Sequence, residues 1–318
     1  LSRSHRPEGP GISVVIPTHN RVRMTARAVD SAFAQTLAPL EVIVVDDGST
    51  DDTRRIAERY ADRPFLYLRN DTSQGAAAAR NRGIEAARGE LVAFLDSDDV
   101  WLPEKLERQA LLLTQQPDVA AVYCRHEVEE EQRGTRAAGG RLFRGDVRAE
   151  LIGGWCPATT SLFMVRRSAL REVGGFDERL RSFHDYDLWL RLSERHRFDY
   201  VDEPLVRFFK HSGQRISLDP ERRLEALDRF LEKWRPVIEQ SLGPNGFRRR
   251  RRAKRASNLK RLGVEALRQG ELTAGRALLA RSLRERPTDP RAWIQLAASF
   301  AGRRGYAALR RRLGGSAA

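Results

Sequence analysis

Asp96, Asp98 and Asp99 follow directly on a continuous apolar run, Leu91-Val-Ala-Phe-Leu95. Five such residues are too few for a typical helix, so the pattern predicts a strand buried on both faces. Open α/β sheets bind ligands beyond the carboxyl ends of their strands. Carboxylates gathered there repel one another unless a cation or hydrogen-bond donors neutralise them. Oxygen ligands of this kind suit Mg²⁺ or Mn²⁺ shared with a diphosphate. The same stretch, Asp-Ser-Asp-Asp before Val100-Trp-Leu-Pro103, also reads as a turn with a helix cap. Standing alone, Asp-x-Asp is common and the turn-and-cap reading would win; its company decides otherwise. Further groups able to do acid, base or ligand chemistry stand at Asp46-Asp47, at His184-Asp185 with Asp187, and at His211.

The elements that must position these residues follow from local patterning. Buried strands are expected over 12–17, ending at Pro17-Thr-His-Asn20, and over 40–45, ending at Asp46-Asp-Gly-Ser-Thr-Asp-Asp52. A third, short strand covers 65–68. Helices fall between them over 21–35, 53–60 and the Ala-rich 75–87. Strands alternating with helices imply βαβ units and a parallel sheet. Regularity then weakens: a helix over 103–115, a strand over 119–126, and a polar loop or hairpin tip over 127–140. A short helix at 145–152, a strand at 159–165 and a helical turn at 168–173 follow. A clear helix at 185–195 and short strands at 198–200 and 205–209 close this part.

Composition limits the class. The chain has 318 residues, 41% hydrophobic and 31% charged, enough for a sizeable core. No window reaches the roughly 18 uninterrupted apolar residues of a membrane span. The opening residues 1–11 are polar and basic, without the look of a secretory signal. Cys124 and Cys156 lack metal-site spacing and point to a reducing, cytoplasmic compartment. The net charge of +14 is uneven: residues 1–245 carry −2 and residues 246–318 carry +16. Two domains are therefore expected, 1–218 and a basic helical module over 219–318.

Within that module Leu259, Leu262, Gly263, Ala266, Gly270, Leu272, Gly275, Leu279, Ser282 and Pro287 fall at tetratricopeptide spacing. Trp293, Leu296 and Ala297 begin a second unit 34 residues after Leu259, Leu262 and Gly263. One and a half repeats fall short of what such arrays need to stand alone, so packing on the enzyme body or self-association through these helices is expected. The basic run Arg248–Arg252 with Lys254 and Arg255 reads as a solvated face, a nucleic-acid patch or a mooring for an anionic membrane surface. No aromatic interleaving supports nucleic acid, and the body is near neutral. Residues 248–255 are expected to meet the inner face of a membrane.

Six stretches together resemble the successive signatures of family 2 glycosyltransferases. They are Val15-Ile-Pro-Thr-His-Asn-Arg21, Val44-Val-Asp-Asp-Gly-Ser-Thr50, Gly75-Ala-Ala-Ala-Ala-Arg-Asn-Arg-Gly83, Phe94-Leu-Asp-Ser-Asp-Asp99, Val173-Gly-Gly-Phe-Asp-Glu178 and His184-Asp-Tyr-Asp-Leu-Trp-Leu-Arg191. They stand in the family's order across roughly residues 11–217, and an ordered set is far more specific than any single motif. The resemblance implies a GT-A fold: Rossmann-like α/β, a mixed and mostly parallel sheet flanked by helices, here with a C-terminal helical appendage. It also implies a nucleotide-diphospho-sugar donor, Mn²⁺ or Mg²⁺, inversion at the anomeric carbon, and a carbohydrate or lipid-linked acceptor in cell-surface polysaccharide or glycoconjugate synthesis.

The roles implied by the resemblance are specific. Pro17, Thr18, Asn20, Asp46 and Asp47 belong to donor binding, with Asp47 toward the base, although Thr18, Asp46 and Asp47 can also cap a following helix. Gly75 admits the ligand to the backbone, and Arg80 pairs with a phosphate or with the Asp cluster. Asp98 is the metal ligand, Asp96 lies toward the ribose or a metal-bound water, and Asp99 orients them or caps a helix. Asp185 is the base, at a helix start where the macrodipole favours its ionised form. Asp187 caps or braces that helix. The family usually has an acid where His184 stands, which leaves His184 as a second candidate base. His211 resembles the family's downstream histidine, which closes over metal and diphosphate. Trp155 is a candidate for sugar stacking, while Trp189 sits at core spacing. A catalytically silent scaffold is the rival reading, and the intact Asp96, Asp98 and Asp185 argue against it. The choice of sugar, nucleotide and acceptor is placed in residues 127–160 and in pocket shape.

Overall fold

A computed structural model describes residues 10–130, 134–138, 140–210, 219–302 and 306. The chain divides into two compact units, Leu1–Gly213 and Gln214–Ala318. The boundary expected after residue 218 differs by five residues, within a stretch outside the described residues.

In the first unit β1 (Ile12–Thr18), α1 (Val22–Phe33), β2 (Glu41–Asp46), α2 (Ile56–Arg59, entered through a 3₁₀ turn at Asp52–Arg55), β3 (Phe65–Arg69), α3 (Ala76–Ala86) and β4 (Leu91–Phe94) form the alternating half. Every residue of β1, β2 and β4 is buried, as expected for parallel strands covered by helices on both faces. Helix α3 lies close on β1, because a Cβ at Gly83 would stand 2.3 Å from Val15 Cγ1. Next come β5 (Asp99–Trp101), α4 (Lys105–Gln115), β6 (Val119–Glu130), β7 (Gly134–Ala138), α5 (Arg148–Gly153), β8 (Met164–Arg166), α6 (Arg167–Glu172), α7 (His184–Ser193) and β9 (Arg197–Lys210). One mixed sheet runs β3-β2-β1-β4-β8-β6-β9-β5, with β7 beside β6. Strands β3, β2, β1 and β4 are mutually parallel, as are β6 and β9, while β8, β5 and β7 pair antiparallel.

Four local expectations are corrected. Residues 99–101 are a strand paired with Val206–Phe208, so Asp99 does not cap a helix, and α4 begins only at Lys105. Residues 127–140 include strand, because β6 runs on through Glu130 and pairs with β7. The strand expected over 159–165 begins as a 3₁₀ turn, Thr160–Leu162, and only Met164–Arg166 is extended. The two short strands near 198–209 are one, β9. Pro204 lies where the β6–β9 register slips, so the missing N–H is absorbed at an irregularity.

The second unit is helical: α8 (Pro220–Lys233), α9 (Arg235–Gln269, broken at Gly243-Pro244), α10 (Leu272–Glu285) and α11 (Pro290–Ser299). The later part of α9 and α10 form an antiparallel hairpin, with Ser282 Oγ donating to the Ala256 carbonyl at 2.8 Å. Its helices touch at glycine, since a Cβ on Gly275 would meet the Gly263 carbonyl at 2.9 Å. Leu224 of α8 joins Leu259, Leu262, Ala266 and Leu278 in one apolar cluster. Part of the basic run is internal wiring: Arg251 and Arg255 both reach Asp228, and Arg255 Nε lies 2.9 Å from Glu285. No helix among the described residues is long and apolar enough to cross a membrane.

Candidate active site

The strand ends place the expected donor residues side by side. Thr18 closes β1, buried, with its hydroxyl 2.6 Å from that of Thr25. Pro17 pairs in register with Val45 and Thr18 with Asp46. Asn20, at φ 53°, ties the two strand ends together: its amide N–H donates to Ser49 Oγ at 2.8 Å, and its Oδ1 accepts from Thr50 N at 2.7 Å. Asp46 is fully buried and accepts from Ser49 N at 2.8 Å and from the Tyr67 hydroxyl. Asp47 accepts at both oxygens, Oδ1 from Asn70 Nδ2 and Gln74 N, Oδ2 from Ser73 Oγ and Gly75 N, all within 2.7–2.9 Å. Burial works against its charge, but these four donors outweigh it and hold its pKa below the ordinary aspartate value. Asp47 thus shapes the turn that presents Gly75 at the start of α3, with Gly75 at φ 101°.

Beyond β4 the carboxylates meet arginines. Asp98 Oδ2 lies 2.8 Å from Arg21 Nη1. Asp96 pairs with Arg80 Nη2 and also accepts from Thr159 Oγ1 at 2.6 Å and Thr160 Oγ1 at 3.1 Å. Desolvation opposes its charge, yet Arg80 and the two threonines keep its pKa lowered. Asp99 turns inward and accepts from Ser161 Oγ at 2.6 Å, while the same serine oxygen accepts from Asp96 N. Asp99 therefore holds Ser161 beneath Asp96.

Arg80 is 5% exposed and reaches across to α7, where its Nη1 stands 3.0 Å from His184 Nε2. Asp185 follows in the first turn, half-buried, its Oδ1 accepting from Tyr186 N at 2.8 Å. Asp187 is fully buried against Arg191 at 2.9 Å, the bracing role expected of it. Arg191 also donates to the carbonyls of Val173 and Gly175. Asn81 holds the other side of that loop, accepting from Phe176 N at 2.7 Å and donating to Phe176 O at 2.9 Å and Glu178 Oε1 at 2.7 Å. A Cβ on Gly175 would strike Asn81 Oδ1 at 2.6 Å, so the glycine of this motif makes room for the clamp.

Arg21, Asn81, Thr159 and Thr160 are site residues that spacing alone did not single out, although Arg21 and Asn81 lie inside quoted motifs. His211 lies outside the described residues. Trp189 is fully buried on Phe163 with ring centroids 3.7 Å apart, and Trp155 packs among Tyr123 and Phe143. Among the described residues no three His, Cys, Asp or Glu side chains gather as a self-sufficient metal cage. Mg²⁺ and its like are commonly held by one or two carboxylates plus substrate phosphates. Asp98 and Asp96 fit that kind of site.

The family model Glycosyl transferase family 2 matches residues 13–174. The chain is 31% identical over 242 residues to an uncharacterized glycosyltransferase of Rickettsia prowazekii, covering 73% of this chain and 72% of that one. It is 30% identical over 241 residues to the Escherichia coli chondroitin synthase, covering 76% of this chain but 34% of the synthase. Among solved structures, S. aureus TarS 1–349 in complex with UDP-GlcNAc superposes with a TM-score of 0.59 at 19% identity, over 96% of this chain and 92% of that one. The sheet with its flanking helices is the GT-A fold, and the chain belongs to glycosyl transferase family 2.

Proposed function

We propose that the protein transfers a sugar from a nucleotide-diphospho-sugar to an acceptor hydroxyl, with inversion, in cell-surface polysaccharide or glycoconjugate synthesis. The observation that carries this reading is the Arg80 bridge, which joins a donor-side carboxylate, Asp96, to the helix whose first turn carries Asp185. The complex of TarS with UDP-GlcNAc supports the donor class. Pro17, Thr18, Asn20, Asp46 and Asp47 frame the nucleoside, and Gly75 and Arg80 face the diphosphate. Asp98 and His211 would hold Mn²⁺ or Mg²⁺, with Asp96 toward the ribose or a metal-bound water, and the bound metal would supply neutralisation of charge on the departing diphosphate. Asp185 takes the acceptor hydroxyl's proton as the oxygen attacks the anomeric carbon from the face opposite the leaving group. The exposed Arg248 and Arg249 serve peripheral attachment to an anionic membrane carrying the acceptor.

A donor-turnover screen over nucleotide sugars, with and without Mn²⁺, tests the reading. One donor should release its nucleoside diphosphate only with metal. Asp185→Asn should keep nucleotide-sugar binding and lose about 10²–10⁴ of transfer rate. A panel with neither binding nor turnover would sink the proposal, and an unimpaired Asp185→Asn would remove the base.

A further inference from the structure

His184 holds a position that the reaction as proposed does not use. Its Nε2 lies 3.0 Å from Arg80 Nη1. A guanidinium has donors only, so Nε2 must be the acceptor and the ring proton must sit on Nδ1. The imidazole is therefore neutral while this contact lasts. Burial and the adjacent Arg80 charge both lower its pKa, against the opposing pull of Asp185 and Asp96. The ring is also set by packing: Phe176 meets it in a T-shaped contact with centroids 5.8 Å apart, and Arg80 lies over the Phe176 ring at 5.6 Å. With its Nε2 lone pair committed to Arg80, His184 is poorly placed to act as the base.

The consequence lies in Arg80. Its Nη2 is on Asp96, and its Nη1 on His184 and the Ala76 carbonyl. A carboxylate at residue 184 would divide the guanidinium charge between two anions. A neutral imidazole leaves that charge opposed by Asp96 alone, so more of it stays available to an incoming diphosphate. We propose that His184 is a positioning residue: as a neutral acceptor it fixes Arg80 between the end of β4 and the start of α7, and so sets the donor carboxylate and Asp185 in register. The assignment of Asp185 rests on the function proposed above, but the His184–Arg80 contact does not.

Two measurements test it separately. In the full-length protein, ¹⁵N resonances of the His184 ring should report a neutral ring protonated at Nδ1 around pH 7, and Arg80→Ala should abolish the acceptor signature at Nε2. A ring protonated at Nε2, or unmoved by Arg80→Ala, overturns the proposal whether or not the protein proves to be a transferase. In kinetics, His184→Ala should lower transfer kcat about tenfold or more, the scale of one hydrogen bond to a charged group. His184→Gln, which restores a neutral acceptor, should recover most of that loss. His184→Glu should raise the donor KM by sharing out the Arg80 charge. An unimpaired His184→Ala, or a Gln variant no better than Ala, overturns the proposal. If no donor turns over at all, the function proposed above falls while the resonances still decide the contact.

Discussion

The ends of β2 and β4 both carry acids, and Asp47 at the first is satisfied differently from Asp96 and Asp98 at the second. At β2, Asp47 takes four hydrogen bonds from neutral groups of one adjoining stretch, residues 70–75. At β4, Asp96 and Asp98 are held by guanidinium groups from α3 and from the turn before α1. Neutral donors packed around a buried carboxylate make a rigid piece of framework, and each is costly to leave unmet. Arginine partners are exchangeable, because the same fork matches phosphate as well as carboxylate. Between Asp47 on one side and Asp96 and Asp98 on the other, the kind of donor would then separate framework from reactive surface.

Substitution at each end would break or sharpen that contrast. Asp98→Asn should abolish the metal-dependent part of nucleotide affinity, a fall of about 10²-fold or more, with the melting temperature nearly unchanged. Calorimetry with a nucleoside diphosphate and Mn²⁺ reads this directly, and unchanged affinity would move Asp98 to the framework side.

Asp47→Asn should act mainly on stability, costing about 2–4 kcal/mol, because an amide turns donors toward donors in a buried place. The pH dependence has a definite sign. Asp47 has a lowered folded pKa, so its contribution is complete above the unfolded aspartate value of about 4 and fades as pH falls through the folded one. The gap between parent and variant in denaturant midpoint should be widest near pH 7 and close below about pH 4. A gap that persists in acid would mean that something other than the ionised carboxylate is at work.

The basic run repeats the contrast on a smaller scale. Arg249 is exposed, whereas Arg255 is engaged with Asp228 and Glu285. Arg249→Gln should weaken binding to anionic vesicles about fivefold, near 1 kcal/mol for one surface charge, and less at high salt. Arg255→Gln should leave flotation alone and lower the melting temperature. Equal flotation of Arg249→Gln and parent would dissociate the run from membranes.

The parallel half of the fold was legible because its strands are short, apolar throughout and punctuated by turn chemistry. The six motifs then located most of the residues that the strand ends and α7 bring together. What was not legible depends on partners distant in sequence. Asp99–Trp101 looks like a cap until β9 is beside it, and β9 looks interrupted at Pro204 until β6 absorbs the irregularity. Asn81 has no local sign of its role, since its partners lie at 176 and 178. The Arg251 and Arg255 pairs likewise cannot be told from solvated charges by counting residues. Burial patterns read well locally, and polar partnerships do not.

Residues 80 and 81 are neighbours on α3 yet fasten different parts of the unit, one to Asp96 and His184, the other to the 175–178 loop. The chain between Asp96 and the 175–178 loop is strung between those anchor points. Residues within 127–158 could therefore be exchanged, lengthened or trimmed as a cassette, while Thr159 and Thr160 stay on Asp96 and a single turn of helix keeps the chemistry aligned. New acceptor preferences would then evolve without rebuilding the machine that serves them.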